Sequence, residues 1–301
     1  MSPVGLPDTF FTAAPEWRWL IIGYFFVGGI AGGSYMLAVL IDLFGDPDDR
    51  PLAGTAYVIA FAGVALSGVL LTADLGRPER FWHMLLQSKT GWPMLKPWSP
   101  MSLGAWALLL FGGVSFLSLL ATLAEAGRLP RRELARLRPP GALGTVVATV
   151  GALLGFFIAG YTGILLSVTN RPIWADTWLL GLAFLVSASS ISAALLILVG
   201  QWHSRSSRAV RALGRFDRWM LLLELVVLVA LVASLGAVAR VWLSAWGAAL
   251  FGVVLVGIVT PLALLRRGHG AILPVAAVLV LVGGFLLRVV IVLSSDLMDR
   301  V

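Results

Sequence analysis

The chain contains no cysteine, and only 12% of its 301 residues are charged. The first absence excludes a disulfide, a thiolate metal site and a cysteine-ligated iron–sulfur cluster within the chain itself. The second excludes an ordinary soluble domain, which would carry roughly 25% charged residues. The deficit runs along the whole length, so no soluble unit of useful size can be cut from it. Histidine is scarce as well, with His83 and His269 in loops and His203 at a helix end. That distribution offers no inward-facing pair to ligate a b-haem. Nor is there a metal-binding motif, a glycine-rich phosphate loop after a strand, or a nucleophile signature. A net charge of +7 would point to nucleic acid in a soluble protein. Here the arginines lie between apolar segments, where lipid headgroups and topology account for them, and no nucleic-acid partner is expected.

What the chain does have is apolar length, with hydrophobic residues at 59%. A hydrocarbon core about 30 Å thick needs about 20 apolar helical residues, and eight stretches qualify: 18–44, 52–74, 99–124, 142–169, 178–201, 216–239, 245–265 and 271–295. The expectation is one all-α, multi-pass cell-membrane domain over residues 1–301, with helices 1–4 across about 18–169 and helices 5–8 across about 178–295. The first stretch reads as retained rather than cleaved, being too long for a signal peptide, lacking a basic leader and running into the acidic turn Asp46–Asp49. Loops after helices 1, 3, 5 and 7 hold 13 arginines, and the opposite face holds 8 arginines and lysines. The positive-inside rule then places both termini, and the long loop after Asp74, on the outer face.

With that orientation the unusual polar residues gather at one end: Glu16 and Arg18, Asp74, Asn170 and Arg171, Arg240, and Arg288 in the outer part of helix 8. Tyr161 lies about 12 Å inside the outer end of helix 4, a depth at which a phenol needs a hydrogen-bond partner. Arg288 also needs one, and Asp74, Asp296 or a lipid phosphate would serve. The tryptophans, among them Trp82, Trp98, Trp174 and Trp178, read as an interfacial belt. Gly28 with Gly32, and Gly29 with Gly33, read as close-packing pairs on helix 1. The arginine-rich loops at 125–140 and 201–218 read as topology signals with no ligand.

Several segments resemble the NrfD/PsrC family, the polysulfide-reductase-type membrane anchors. They are Tyr24-Phe-Phe-Val-Gly-Gly-Ile-Ala-Gly-Gly33, Asp74-Leu-Gly-Arg-Pro-Glu-Arg-Phe-Trp-His83, Trp98-Ser-Pro-Met-Ser102, Gly160-Tyr-Thr-Gly163 and Thr169-Asn-Arg-Pro-Ile-Trp174. The resemblance implies two four-helix bundles and a site for menaquinone or ubiquinone near the outer face. It also implies a ferredoxin-like iron–sulfur subunit and a molybdopterin catalytic subunit docked outside, since this chain brings no metal, haem or cluster of its own. Six residues are then candidates for quinone binding. Tyr161 either bonds a quinone oxygen or bonds a neighbouring helix. Asp74 with Arg77 is either a proton-transfer acid held by its counter-charge or an ion pair fixing the loop. His83 either exchanges protons with the site or anchors at the interface beside Trp82. Asn170 and Arg171 either orient a headgroup or simply end helix 4 before Pro172. For a proton path the candidates are Glu224, about 12 Å in from the inner end of helix 6, together with Asp42 and Asp74. Glu224 reads equally as a protonated acid hydrogen-bonded within the bundle. A secondary transporter or proton channel without redox partners is the competing class, but it favours polar breaks near the midplane, whereas the polar cluster here is off-centre.

Overall fold

The computed structural model describes residues 17–201, 207–267 and 272–295. Glu16, His203, Arg205, His269, Asp296 and Arg300 lie outside the described residues. Within them the chain is all-helical, with α1 Trp19–Phe44, α2 Arg50–Asp74, α3 Pro100–Glu125, α4 Ala142–Ser167, α5 Leu180–Gln201, α6 Ser207–Ser234, α7 Ala245–Val254, α8 Thr260–Arg267 and α9 Ile272–Ser294. A π turn at Leu255–Val259 joins α7 to α8, so the two run as one continuous stretch. Seven helical stretches among the described residues are long and apolar enough to cross a membrane. The remaining one, α6, is the longest helix, but Asp217, Arg218 and Glu224 interrupt its apolar run.

Local chemistry sets the boundaries. Pro51 sits at the start of α2 and Pro100 at the start of α3, where the missing N–H is one the helix would leave unpaired anyway. The Ser99 hydroxyl caps α3 by accepting from Ser102 N at 3.4 Å. α6 departs from expectation at both ends. It begins nine residues before Phe216, because Ser207–Arg218, which reads as a charged loop, continues the helix. It stops at Ser234, short of the expected Ala239, where Gly236 adopts φ +53° and the chain turns into a 3₁₀ segment, Gly236–Leu243. Left-handed backbone is readily available only to glycine, so Arg240 belongs to that segment and not to the helix.

Helices α1 and α5 are the most enclosed. α1 packs against α2, α4, α5 and α9, α3 closes between α2 and α4, and α5 packs against α4, α6 and α9. The glycine pairs of α1 make this closeness possible on two faces. A Cβ on Gly32 would collide with the Gly155 carbonyl of α4, and one on Gly33 would collide with Ser192 and the Ala188 carbonyl of α5. Gly257 and Gly283 bring the π turn against α9 in the same way. Small residues at such crossings let backbones approach and gain dispersion contacts that lipid cannot supply.

At the end of the molecule opposite Asp74, a buried ion-pair cluster joins α1, α2 and α3. Arg138 forks onto Asp42 with two bonds of 2.7 Å, reaches Glu125 at 2.8 Å and the Arg50 carbonyl at 2.7 Å, and lies over the Tyr57 ring. Burial by itself would lower its pKa, and the Asp42 and Glu125 carboxylates more than offset that, holding the guanidinium above its usual value. Arg138 is therefore not a surface topology signal. Its side chain is 4% exposed, and that of Asp42 is 0% exposed.

Candidate functional site

At the Asp74 end, the terminal turns of α1 to α4 do not close on one another. They leave a cavity of about 520 Å³ whose lining includes the polar side chains of Asp74, Tyr24, Tyr161, Thr72 and Trp17. That size falls within the usual range for small-molecule sites, and the apolar wall with a few convergent polar groups is their usual make-up. Trp17, Ile21 and Tyr24 come from the start of α1, Thr72 and Asp74 from the end of α2, Met101 and Gly104 from the start of α3, and Tyr161 and Leu165 from the end of α4.

The long loop after α2 covers the mouth. Its 3₁₀ segment Pro78–Met84 contributes Phe81 and Met84 to the wall, and Leu85 follows. The loop is held in place by backbone bonds Gln87 N to Trp92 O (2.9 Å) and Met94 N to Leu85 O (2.8 Å). The Trp106 indole N–H and the Ser102 hydroxyl of α3 bind Met94 O and Lys96 N. A loop so tied is a wall with fixed shape.

Tyr161 lines this chamber from the end of α4. Its ring stacks on Phe157 with centroids 5.4 Å apart, and its hydroxyl donates to the Pro100 carbonyl at 2.6 Å. The seat exists because Gly104 lacks a side chain: a Cβ there would overlap the phenol. With its proton directed at Pro100, the phenol oxygen keeps lone pairs to accept a bond from a ligand hydroxyl. Tyr24, from the opposite wall, belongs to the helix 1 motif but is not among the candidates that the sequence singles out. The signal was present, since Tyr24 lies about 8 Å inside the end of α1, a depth comparable to that of Tyr161.

Asp74 lines the cavity and is exposed at its mouth, so it touches both the apolar chamber and water. Arg77 is exposed. The ion pair of this loop runs between Arg80 and Glu79 at 4.0 Å, and none joins Arg77 to Asp74 among the described residues. His83 packs on Trp82, ring centroids 3.8 Å apart, and neither ring lines the cavity, although Phe81 and Met84 on either side do. Asn170 is exposed. Arg171 is buried and lies over the Trp174 ring at 5.4 Å. Trp174, expected in the interfacial belt, is instead buried, because its indole N–H donates to Ile291 O at 3.0 Å and its ring stacks on Trp17. The structure thus gathers Tyr161, Asp74 and Tyr24 around one chamber, and Arg77, His83, Asn170 and Arg171 are not among the residues that line it.

The proton-path candidates do not meet. Asp42 is engaged by Arg138 at the far end of α1, while Glu224 is buried in the second half of the chain beside Ser187 and Arg288. What accompanies Glu224 is Asp217, two turns earlier on the same face of α6, which accepts from the Ser190 hydroxyl of α5 at 2.5 Å. Arg288 is fully buried, so neither Asp74 nor a lipid phosphate is its partner. It donates to Gly284 O (2.7 Å), Phe25 O (3.2 Å) and the Ser187 hydroxyl (3.2 Å) and lies over Phe184, while its Nη2 has no hydrogen-bond partner among the described residues. Among the described residues no group of three acidic or histidine side chains is arranged to hold a metal ion.

Comparison with known proteins agrees with this architecture. The protein is 28% identical to a component of the polysulfide reductase of Wolinella succinogenes, over 93% of its own length and 94% of that relative. It is 28% identical to the protein NrfD of Escherichia coli over 64% of its own length and 61% of that one. To a component of the selenate reductase of Mesobacillus selenatarsenatis it is 25% identical over 44% of its own length and 28% of the other. The profile of the family described as polysulphide reductase, NrfD, matches residues 9–298. Matched over nearly its entire length, this multi-pass helical membrane protein belongs to the NrfD family.

Proposed function

We propose that the protein is the membrane anchor and quinone-reactive subunit of a multi-subunit oxidoreductase, exchanging electrons between menaquinone or ubiquinone and a peripheral complex. The observation that carries this reading is the chamber at the Asp74 end, where an apolar slot meets Tyr161, Tyr24 and Asp74. A quinone needs an apolar berth for its ring, hydrogen-bonding groups for its two oxygens, and an acid open to water for its protons. Tyr161 and Tyr24 bond the oxygens, and Asp74 passes protons between the chamber and the aqueous face. A protein without cysteine ligates no iron–sulfur cluster through thiolates, so electrons pass to a ferredoxin-like partner and from there to a molybdopterin subunit. Two of the similar proteins are named as parts of a polysulfide reductase and of a selenate reductase, which supports such an assembly.

The same reading has eight crossings in two four-helix bundles, α1–α4 and α5–α9, with both termini and the partners on the Asp74 side. α6 is counted because Asp217 and Glu224 turn toward α5 and are buried there, leaving no acid of its apolar run to lipid. The test is purification of the complex from native membranes in mild detergent, followed by identification of its subunits and titration of a quinol analogue. A stoichiometric iron–sulfur partner and saturable binding are expected. A bare protein without quinol affinity would favour the transporter or proton-channel reading.

A second component concerns Glu224. With Asp217, Ser190, Ser187 and Arg288 it makes a run of buried polar groups between α5, α6 and α9, and intramembrane acids of this kind mark proton routes. Glu224→Gln is expected to reduce proton uptake by energised vesicles to near zero while quinol oxidation in uncoupled membranes persists. Unaltered uptake would make Glu224 a purely structural acid.

A further inference from the structure

The cavity is long, and its deep half differs from its mouth. All four helices of α1–α4 line the part near the mouth, but α1 and α4 contribute nothing below Tyr24 and Tyr161. Beyond them the lining comes from α2 and α3 alone: Gly68, Ala65, Val64 and Phe61 on one side, Leu108, Leu109, Gly112 and Gly113 on the other. From Met101 to Gly113 the wall descends about 18 Å along α3. In this deep half the cavity reaches the surface of the bundle, since Ala65, Leu109 and Gly113 are exposed. Phe61, the deepest α2 residue of the wall, packs on Phe116 of α3 with ring centroids 5.3 Å apart.

The glycines of this slot are unlike those that hold the helices together. At Gly32, Gly33, Gly63 and Gly257 an added Cβ would strike a neighbouring helix, whereas at Gly68, Gly112 and Gly113 it would meet nothing within 4 Å. Packing therefore does not require glycine at these three positions, and glycine inside a helix is less favourable than alanine. Their effect is to keep the slot open to its backbone walls.

Resting on the quinone reading above, the geometry points to a lateral exit between α2 and α3, floored by Gly68, Gly112 and Gly113, through which the isoprenoid chain of the quinone passes into the bilayer. The occupant follows from continuity. The slot is one space with the chamber holding Tyr161 and Asp74, it is apolar throughout its deep half, and it opens on the surface formed by Leu66, Val69 and Leu110, which are exposed and apolar. A ring seated at Tyr161 with its tail down this slot needs no other route through the bundle. Residues 68, 112 and 113 then set how well a long-tailed quinone competes with a tailless one.

The experiment compares KM for a long-tailed isoprenoid quinol and for a tailless analogue in the intact complex, wild type against Gly112→Leu and Gly113→Leu. Each leucine places several carbons in the slot, and the ratio of the two KM values should rise by about tenfold or more in favour of the tailless quinol. A quinone carrying a photoreactive group near its tail end should label peptides containing residues 61–69 or 108–116. Should a leucine variant fail to assemble, Leu109→Trp at the exposed rim provides the same ratio. An unchanged ratio, or labelling elsewhere in the protein, overturns the exit and leaves the chamber intact; labelling of the slot by a photoreactive phospholipid that quinol does not displace assigns it to an acyl tail instead. Absence of any quinol binding in the wild type removes the quinone reading, and the exit with it.

Discussion

Tyr161→Phe should lower quinol turnover by about a hundredfold or more while leaving the complex assembled. The size follows from the function a positioned hydroxyl serves, since removing one hydrogen-bonding or proton-transferring group at a reacting centre costs roughly 10²–10⁴ in rate. Assembly should survive because the ring contacts are untouched. Phenylalanine keeps the stacking on Phe157 and still fills the space that Gly104 leaves for it. What disappears is one oxygen and its 2.6 Å bond to Pro100 O. That carbonyl opens α3 and has helical partners available, so the loss to stability is about 1 kcal/mol. Turnover measured with a quinol donor, alongside subunit stoichiometry on a native gel, separates the two effects. Wild-type turnover in an assembled Tyr161→Phe complex would remove the phenol from the site and leave Tyr24 and Asp74 to account for it.

The largest expected effect on stability belongs to the opposite end of the molecule. Arg138→Leu should destabilise the protein by about 3–5 kcal/mol, because it leaves the Asp42 carboxylate buried without its counter-charge. The geometry supports the upper part of that range. Two parallel 2.7 Å bonds fix the fork, Glu125 and the Arg50 carbonyl take remaining donors, and both side chains are almost fully enclosed. Exposed pairs are worth far less. Arg50 with Glu125, whose side chains are 28% and 36% exposed, belongs nearer that class. Thermal unfolding in detergent should show the loss, and adding Asp42→Leu should recover much of it, since a buried pair replaced by apolar side chains is often neutral. A single variant that unfolds at the wild-type temperature would mean that Asp42 is neutralised by something other than Arg138.

These two sites differ in how far they are legible in the sequence. Tyr161 stands out because a phenol several turns into an apolar helix is anomalous by itself, and the cost of burying its hydroxyl holds whatever the neighbours are. Asp74 stands out on the same ground, as a carboxylate at the end of an apolar run. Arg138 does not, since one arginine among five in an inter-helix loop carries no mark of burial, and its partner lies 96 residues away. Asp42 and Glu224 are both recognisable as costly acids, yet nothing local tells that the first meets Arg138 and the second Ser187 and Arg288. Tyr24 and Asp217 escape notice for related reasons. The first sits within a glycine motif that draws attention to packing, and the second lies in a stretch whose charge density hides that it is helical.

What the amino-acid order determined by itself were properties that depend on single segments: helical, membrane-crossing stretches set by apolar length, crossings set by paired glycines, and an end of the molecule set by where polar residues interrupt hydrocarbon. The tertiary structure decided everything that depends on which faces meet. It brought Asp74, Tyr24 and Tyr161 to one chamber and left His83 out of its lining, joined Arg138 to Asp42, gave Arg288 the carbonyls of Phe25 and Gly284, and opened the slot between α2 and α3. The physical reason is range. Burying apolar surface and satisfying backbone hydrogen bonds are settled within one helix, whereas a side-chain partner is chosen only when helices far apart in the sequence are packed and rotated against each other.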